Sequence, residues 1–157
     1  MHNIQNPKRR GKRDVTEPAR VRVVSPDELS PNTPQTPGLL RLVAFDAGNP
    51  DARTLSAFLS TVYPGAATAA HHHGDQETIL YVLNGRAEYR WGDRLEHGVE
   101  APPGSFVFIP ANMVHQEINP SDDEPTTWVV VRSAVDPIVV NLPELDEIAR
   151  PRAGRQG

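Results

Sequence analysis

The stretch that decides the fold runs from Gly65 to Gly85: Gly65-Ala-Ala-Thr-Ala-Ala-His71-His72-His73-Gly74-Asp75-Gln76-Glu77-Thr78-Ile-Leu-Tyr-Val-Leu-Asn84-Gly85. Successive side chains on a strand point to opposite faces, so His71 and His73 share one face and His72 takes the other. If the shared face is an interior, two imidazoles converge on one point; if it is not, the triplet is a run of surface histidines. The apolar run 78–83 reads as a strand. Asn84-Gly85 follows it and precedes a second apolar run, which predicts a two-residue hairpin, since both central residues of a type I′ turn take positive φ.

Outward from this stretch, short strands succeed one another. The pattern predicts them at 39–45, 54–62, 67–72, 78–83, 86–91, 95–101, 106–109, 115–119, 126–132 and 138–141. Their separators are turn chemistry: Gly48-Asn49-Pro50, Pro64-Gly65, Gly92-Asp93, Pro103-Gly104 and the acidic run 122–125. Strands at this spacing, with no long amphipathic helix between them, predict an all-β antiparallel barrel or sandwich. An edge strand is predicted at 19–24 and a one-turn helix at Pro26–Leu29 capped by Ser25. A short C-terminal helix is expected over 142–149, with frayed residues from 150 to 157. Residues 1–18 are polar and basic and read as a disordered, solvated tail rather than a nucleic-acid contact.

The 157 residues are the usual size of one domain, expected over 19–149 with its core at 39–141. A net charge of -4 is too mild to indicate a partner. No run of eighteen apolar residues occurs, so no transmembrane helix is predicted, and no apolar segment follows the basic N-terminus as a secretory signal would require. Cysteine is absent. Thiolate metal sites, disulfides and a cysteine nucleophile are thereby excluded, and a cytoplasmic location is expected. Any metal must be held by nitrogen and oxygen.

The third histidine of interest is His115, in Pro110-Ala-Asn112-Met-Val-His115-Gln116-Glu117-Ile-Asn119. It opens another predicted strand after another turn. Beside an inward histidine pair it is the natural third ligand, and neutral imidazole suits zinc, iron, nickel, copper and manganese alike.

These residues resemble the two motifs of the small single-domain cupins. Gly65, five residues, His71-x-His73 and a closing Gly85 are similar to the first motif. Gly104, Pro110, His115 and Asn119 match the spacing of the second, with Asn112 where that motif has glycine. Asparagine tolerates left-handed backbone, so the turn is expected to survive. The resemblance covers about residues 39–141. It implies a cupin antiparallel β-barrel (double-stranded β-helix or jelly roll) and a homodimer. It also implies one divalent metal ion (Fe, Mn, Ni or Zn) on His71, His73, His115 and a carboxylate.

The carboxylate is where the chain departs from the pattern. Counting back from Gly85 places the family's glutamate at Thr78; counting forward from His73 places it at Glu77. Thr78, Leu80 and Val82 share one strand face, with Gln76 if the strand extends back, and Glu77 lies on the other unless a bulge re-aims it. Three fourth ligands are open: Glu77, favoured here, the amide oxygen of Gln76, or water.

Around the site, Gln116, Glu117 and Asn119 are neighbours of His115 in sequence, with Glu117 equally readable as a surface group. His97 sits in a polar, turn-like stretch and is expected to be surface. Tyr89, Trp91 and Trp128 read as core or rim aromatics. Open metal positions imply an enzyme acting on a small organic molecule, of the dioxygenase or isomerase/cyclase kind. The alternative is a non-catalytic small-molecule sensor. A fold of this kind does not fix the reaction.

Overall fold

The structure is a computed structural model, and it describes residues 20–49 and 52–145. Ten strands are present: β1 Leu39–Phe45, β2 Ser56–Val62, β3 His71–His72, β4 Thr78–Asn84, β5 Ala87–Trp91, β6 His97–Ala101, β7 Phe106–Ile109, β8 His115–Ile118, β9 Thr126–Arg132 and β10 Val140–Asn141. They form two five-stranded antiparallel sheets, ordered β1-β2-β9-β4-β7 and β10-β3-β8-β5-β6. This is the double-stranded β-helix arrangement that the strand pattern and the motifs predict.

Alternation fixes which side chains enter the space between the sheets. On β2 the buried residues are Ser56, Phe58, Ser60 and Val62; on β9 they are Thr126, Trp128, Val130 and Arg132. On β4 they are Thr78, Leu80 and Val82. One end of the interior is apolar, with Trp128, Leu80, Val82, Val62, Phe58 and Tyr89 packed together. Each such side chain contributes about 1.5–3 kcal/mol by leaving water. The other end is polar and holds the histidines.

Asn84-Gly85 does not make the hairpin that its sequence suggests. β4 lies in the first sheet and β5 in the second, so the chain crosses between sheets at this point. Only Gly85 takes positive φ there, at 74°. A Cβ on Gly85 would meet the carbonyl oxygen of Pro125 at 2.4 Å and the Cα of Thr126 at 2.8 Å. The glycine is needed for a close backbone approach rather than for a tight turn.

At the N-terminus, a 3-10 helix at Pro26–Glu28 starts from Ser25, whose side chain and backbone amide both engage the Glu28 carboxylate. The edge strand predicted at 19–24 is not formed in its described part, 20–24, where Val21 and Val23 are exposed. The C-terminal helix is seen as a single 3-10 turn, Pro143–Leu145. The rest of that prediction, the basic tail over 1–18 and the frayed end at 150–157 lie outside the described residues. Among the described residues no helix is long and apolar enough to cross a membrane.

Candidate metal centre

His71 and His73 reach the interior from the strand and turn that alternation predicts, and His115 opens β8 directly opposite His71. All three are buried, at 3% exposure or less. Their ring centroids lie 4.3 to 5.0 Å apart, and one ligand atom from each falls within 4.8 Å of the other two. His72 takes the other face and accepts a hydrogen bond from the Gly74 amide.

The backbone fixes the tautomer of each ring. Nδ1 of His71 lies 2.8 Å from the Ala69 carbonyl, Nδ1 of His73 lies 2.7 Å from that of Ile138, and Nδ1 of His115 lies 2.9 Å from that of Met113. A carbonyl oxygen only accepts, so each Nδ1 carries the proton and donates it. Each Nε2 is then left with a lone pair facing the shared centre, the usual outer support of a metal-ligating histidine. Nε2 of His71 and of His115 is buried with no hydrogen-bond partner. Burial holds both imidazoles below their ordinary pKa, and for His71 the neighbouring His115 adds to the effect. His73 is lowered by burial first and then by the Arg132 guanidinium. Three neutral, converging imidazoles are the form that a divalent ion requires.

The residues considered for the fourth position go elsewhere. Glu77 is exposed; its amide donates to the Ser133 hydroxyl and its carbonyl accepts from the Ser133 amide, which aims its side chain away from the histidines. Gln76 is buried, but its amide is used at both ends. Nε2 donates to the Asp136 carbonyl at 2.7 Å, and Oε1 accepts from the Ile138 amide at 3.1 Å. Gln76 therefore holds the segment whose Ile138 carbonyl orients His73. Thr78, at the inward position of the count from Gly85, accepts a hydrogen bond from Nε of Arg132. The first motif thus brings no carboxylate to the histidines. Asn112 does sustain the left-handed turn expected of it, at φ 58°.

Three groups complete the site: Glu117, which the sequence left open between a neighbour of the site and a surface group, and Arg132 and Arg41, which it did not place there. Glu117 is buried, with its carboxylate 3.7 Å from Nε2 of His71 and 3.9 Å from Nε2 of His115. Arg132 is buried at the end of β9, and its Nη2 donates to Nε2 of His73 at 3.1 Å. Arg41 is buried on β1, and both guanidiniums lie over the Phe58 ring, 5.7 and 5.6 Å from its centroid. The inward parity of Trp128, Val130 and Arg132 on β9 is the sequence signal that could have found Arg132. Gln116 and Asn119 serve the backbone, through Thr68 for the first and Val62 and Glu124 for the second. His97 is on the surface, stacked on Trp91.

A cavity of about 280 Å³ opens beside His115. Tyr89, Trp91, Val99, Val107, Phe108 and Met113 give it apolar walls. Tyr89 and Trp91, read from sequence as core or rim, face this space, whereas Trp128 is wholly in the core.

Fold and site together define an all-β, double-sheet protein with a three-histidine candidate metal centre at one end of its interior. The chain is a cupin-domain protein: the family model described as Cupin domain matches residues 58–132, which carry all three histidines and Arg132. Solved structures share the fold. A double-stranded β-helix protein from Klebsiella pneumoniae is 22% identical over 78% of this chain and 97% of its own, with a TM-score of 0.60. The polyketide cyclase RemF from Streptomyces resistomycificus is 23% identical over 78% of this chain and 86% of its own, with a TM-score of 0.63. Oxalate decarboxylase from Bacillus subtilis, with Mn(II) centres, is 24% identical over 74% of this chain, with a TM-score of 0.61, and this chain spans 30% of its length. No curated protein is significantly similar in sequence.

Proposed function

We propose that the chain is a metalloenzyme that holds one divalent ion, Fe, Mn, Ni or Zn, through Nε2 of His71, His73 and His115 and acts on a small organic molecule. The observation that carries this reading is the set of three Nε2 lone pairs turned inward by three backbone carbonyls, two of them buried without a partner. An unsatisfied buried acceptor costs about 1–3 kcal/mol, and an ion removes that cost for both at once. Arg132 shares the His73 lone pair, so loading the site moves its Nη2 aside. When bound, the ion supplies Lewis-acid polarisation or an oxygen-binding position, which is the chemistry of isomerases and cyclases on one side and dioxygenases on the other.

The chain's own residues define the rest. The cavity beside His115 offers apolar walls to the apolar part of a molecule. Glu117 places a buried carboxylate 3.7 and 3.9 Å from Nε2 of His71 and His115, where it offsets positive charge. Exposed Phe106 and Phe108 on β7, an edge strand, support assembly as a homodimer. A monomer mass at micromolar concentration overturns that assembly.

The test is metal content with and without the ligands. Elemental analysis is expected to give one ion per chain, with loss in His71→Ala and His115→Ala. Retention of stoichiometric metal in either variant overturns the centre. Oxygen uptake with Fe(II), and isomerase assays with Mn, Ni or Zn, separate the two reaction classes. Tight binding of a small molecule without turnover by any metal form identifies a sensor instead.

A further inference from the structure

The interior holds several donors that have nothing to donate to. Nη1 of Arg132, Nε of Arg41, the Tyr89 hydroxyl and Nε1 of Trp128 are all buried without a partner, as are the hydroxyls of Ser56 and Ser60. Ser56 lies opposite Arg132, and Ser60 lies between Arg41 and Trp128 on the same sheet. Buried polar groups are ordinarily paired, so five orphans on the inner face of one sheet, with the Tyr89 hydroxyl on the sheet opposite, mark a ligand's place. The charge balance states the ligand's sign. Two guanidiniums face one carboxylate, Glu117, and a divalent ion on three neutral imidazoles would raise the excess to three positive charges. Uncompensated charge in a water-poor interior is costly and is stable only when paired.

We propose that the site takes an anionic organic molecule: a carboxylate, received by Arg132 beside the three histidines, joined to an apolar body that fills the cavity walled by Trp91, Val99, Val107 and Met113. The planar guanidinium suits a carboxylate, since its parallel N–H groups match the two oxygens. Nη1 is free to donate, and Nη2 becomes free when it leaves His73. Arg90, at the cavity wall, is already paired with Glu88 and does not compete. This reading rests on the proposed centre and names the substrate class for it.

Calorimetric titration of the full chain, metal-loaded and metal-free, with benzoylformate and with its neutral amide tests it. Metal content is measured on the same samples. Benzoylformate is expected to bind at least tenfold more tightly than the amide. Arg132→Gln should remove that preference without lowering metal content, and Arg132→Lys should restore part of it. Equal binding of acid and amide, binding of neither, or an unchanged preference in Arg132→Gln overturns the assignment. Should the glutamine variant fail to fold, the acid-to-amide ratio of the unaltered protein decides. Protein that takes up no metal overturns the centre instead, and the metal-free titration then judges the anion site alone.

Discussion

Gln76 and Glu77 are adjacent, similar in size and opposite in fate, and exchanging each tests the site. In Gln76→Ala the buried amide that spans Asp136 and Ile138 is lost, with its bonds of 2.7 and 3.1 Å. Two hydrogen bonds of about 1 kcal/mol each disappear, and the Ile138 amide loses the acceptor it has here. The expected loss of stability is about 2–3 kcal/mol. For a domain of this size that is about 4–12 °C in Tm. The consequence for the site is larger than for the fold. The Ile138 carbonyl that orients His73 sits in the released segment, and removing such outer support costs about 10–100-fold in metal affinity. Glu77→Gln changes an exposed side chain that points away, so Tm should move by less than about 0.5 kcal/mol equivalent, with metal affinity unchanged. Thermal melts give the first quantity, and competition with a chromophoric chelator gives the second. If Glu77→Gln loses metal while Gln76→Ala retains it, Glu77 reaches the ion and the placement argued here is refuted.

Other expectations follow from the same structure. His71, His73 and His115 are held neutral when folded, with pKa values below that of free histidine, so protons bind the unfolded chain better. Their contribution is present above the free-histidine pKa of about 6.5 and is lost as pH falls through it, by about 1 kcal/mol from pH 6.5 to 5.5 for each ring that stays neutral in the folded, metal-free protein. Urea unfolding at several pH values measures this, and a flat profile across that window contradicts buried neutral rings. Gly85→Ala drives a Cβ into the Pro125 carbonyl at positive φ and should cost several kcal/mol, read as a large drop in urea midpoint. Asn112→Gly should be near neutral and Asn112→Ala should cost about 1–2 kcal/mol, because alanine lacks asparagine's tolerance of φ 58°. Equal stability of the two variants rejects a strained turn.

The sequence by itself determined most of the strands and their antiparallel class, and it singled out the three histidines that the fold brings together. Strand parity is local, and parity alone puts His71 and His73 on one face and Thr78, Leu80 and Val82 on another. The spacing of Gly104, Pro110, His115 and Asn119 added the third ring. Tertiary structure decided what local pattern leaves open. Asn84-Gly85 has hairpin chemistry, yet the glycine serves a contact with Pro125 and Thr126, about forty residues away in the chain. Gln76 has the parity of a ligand, yet its amide is consumed by a loop sixty residues on. Arg132 reads as an ordinary charged residue, and Glu117 as either a neighbour of the site or a surface group, until the two sheets close over them. Only then do one carboxylate and two guanidiniums share an interior with three imidazoles. Periodicity gives the direction of a side chain from its own strand, while its partners are set by which strands the fold lays against that face.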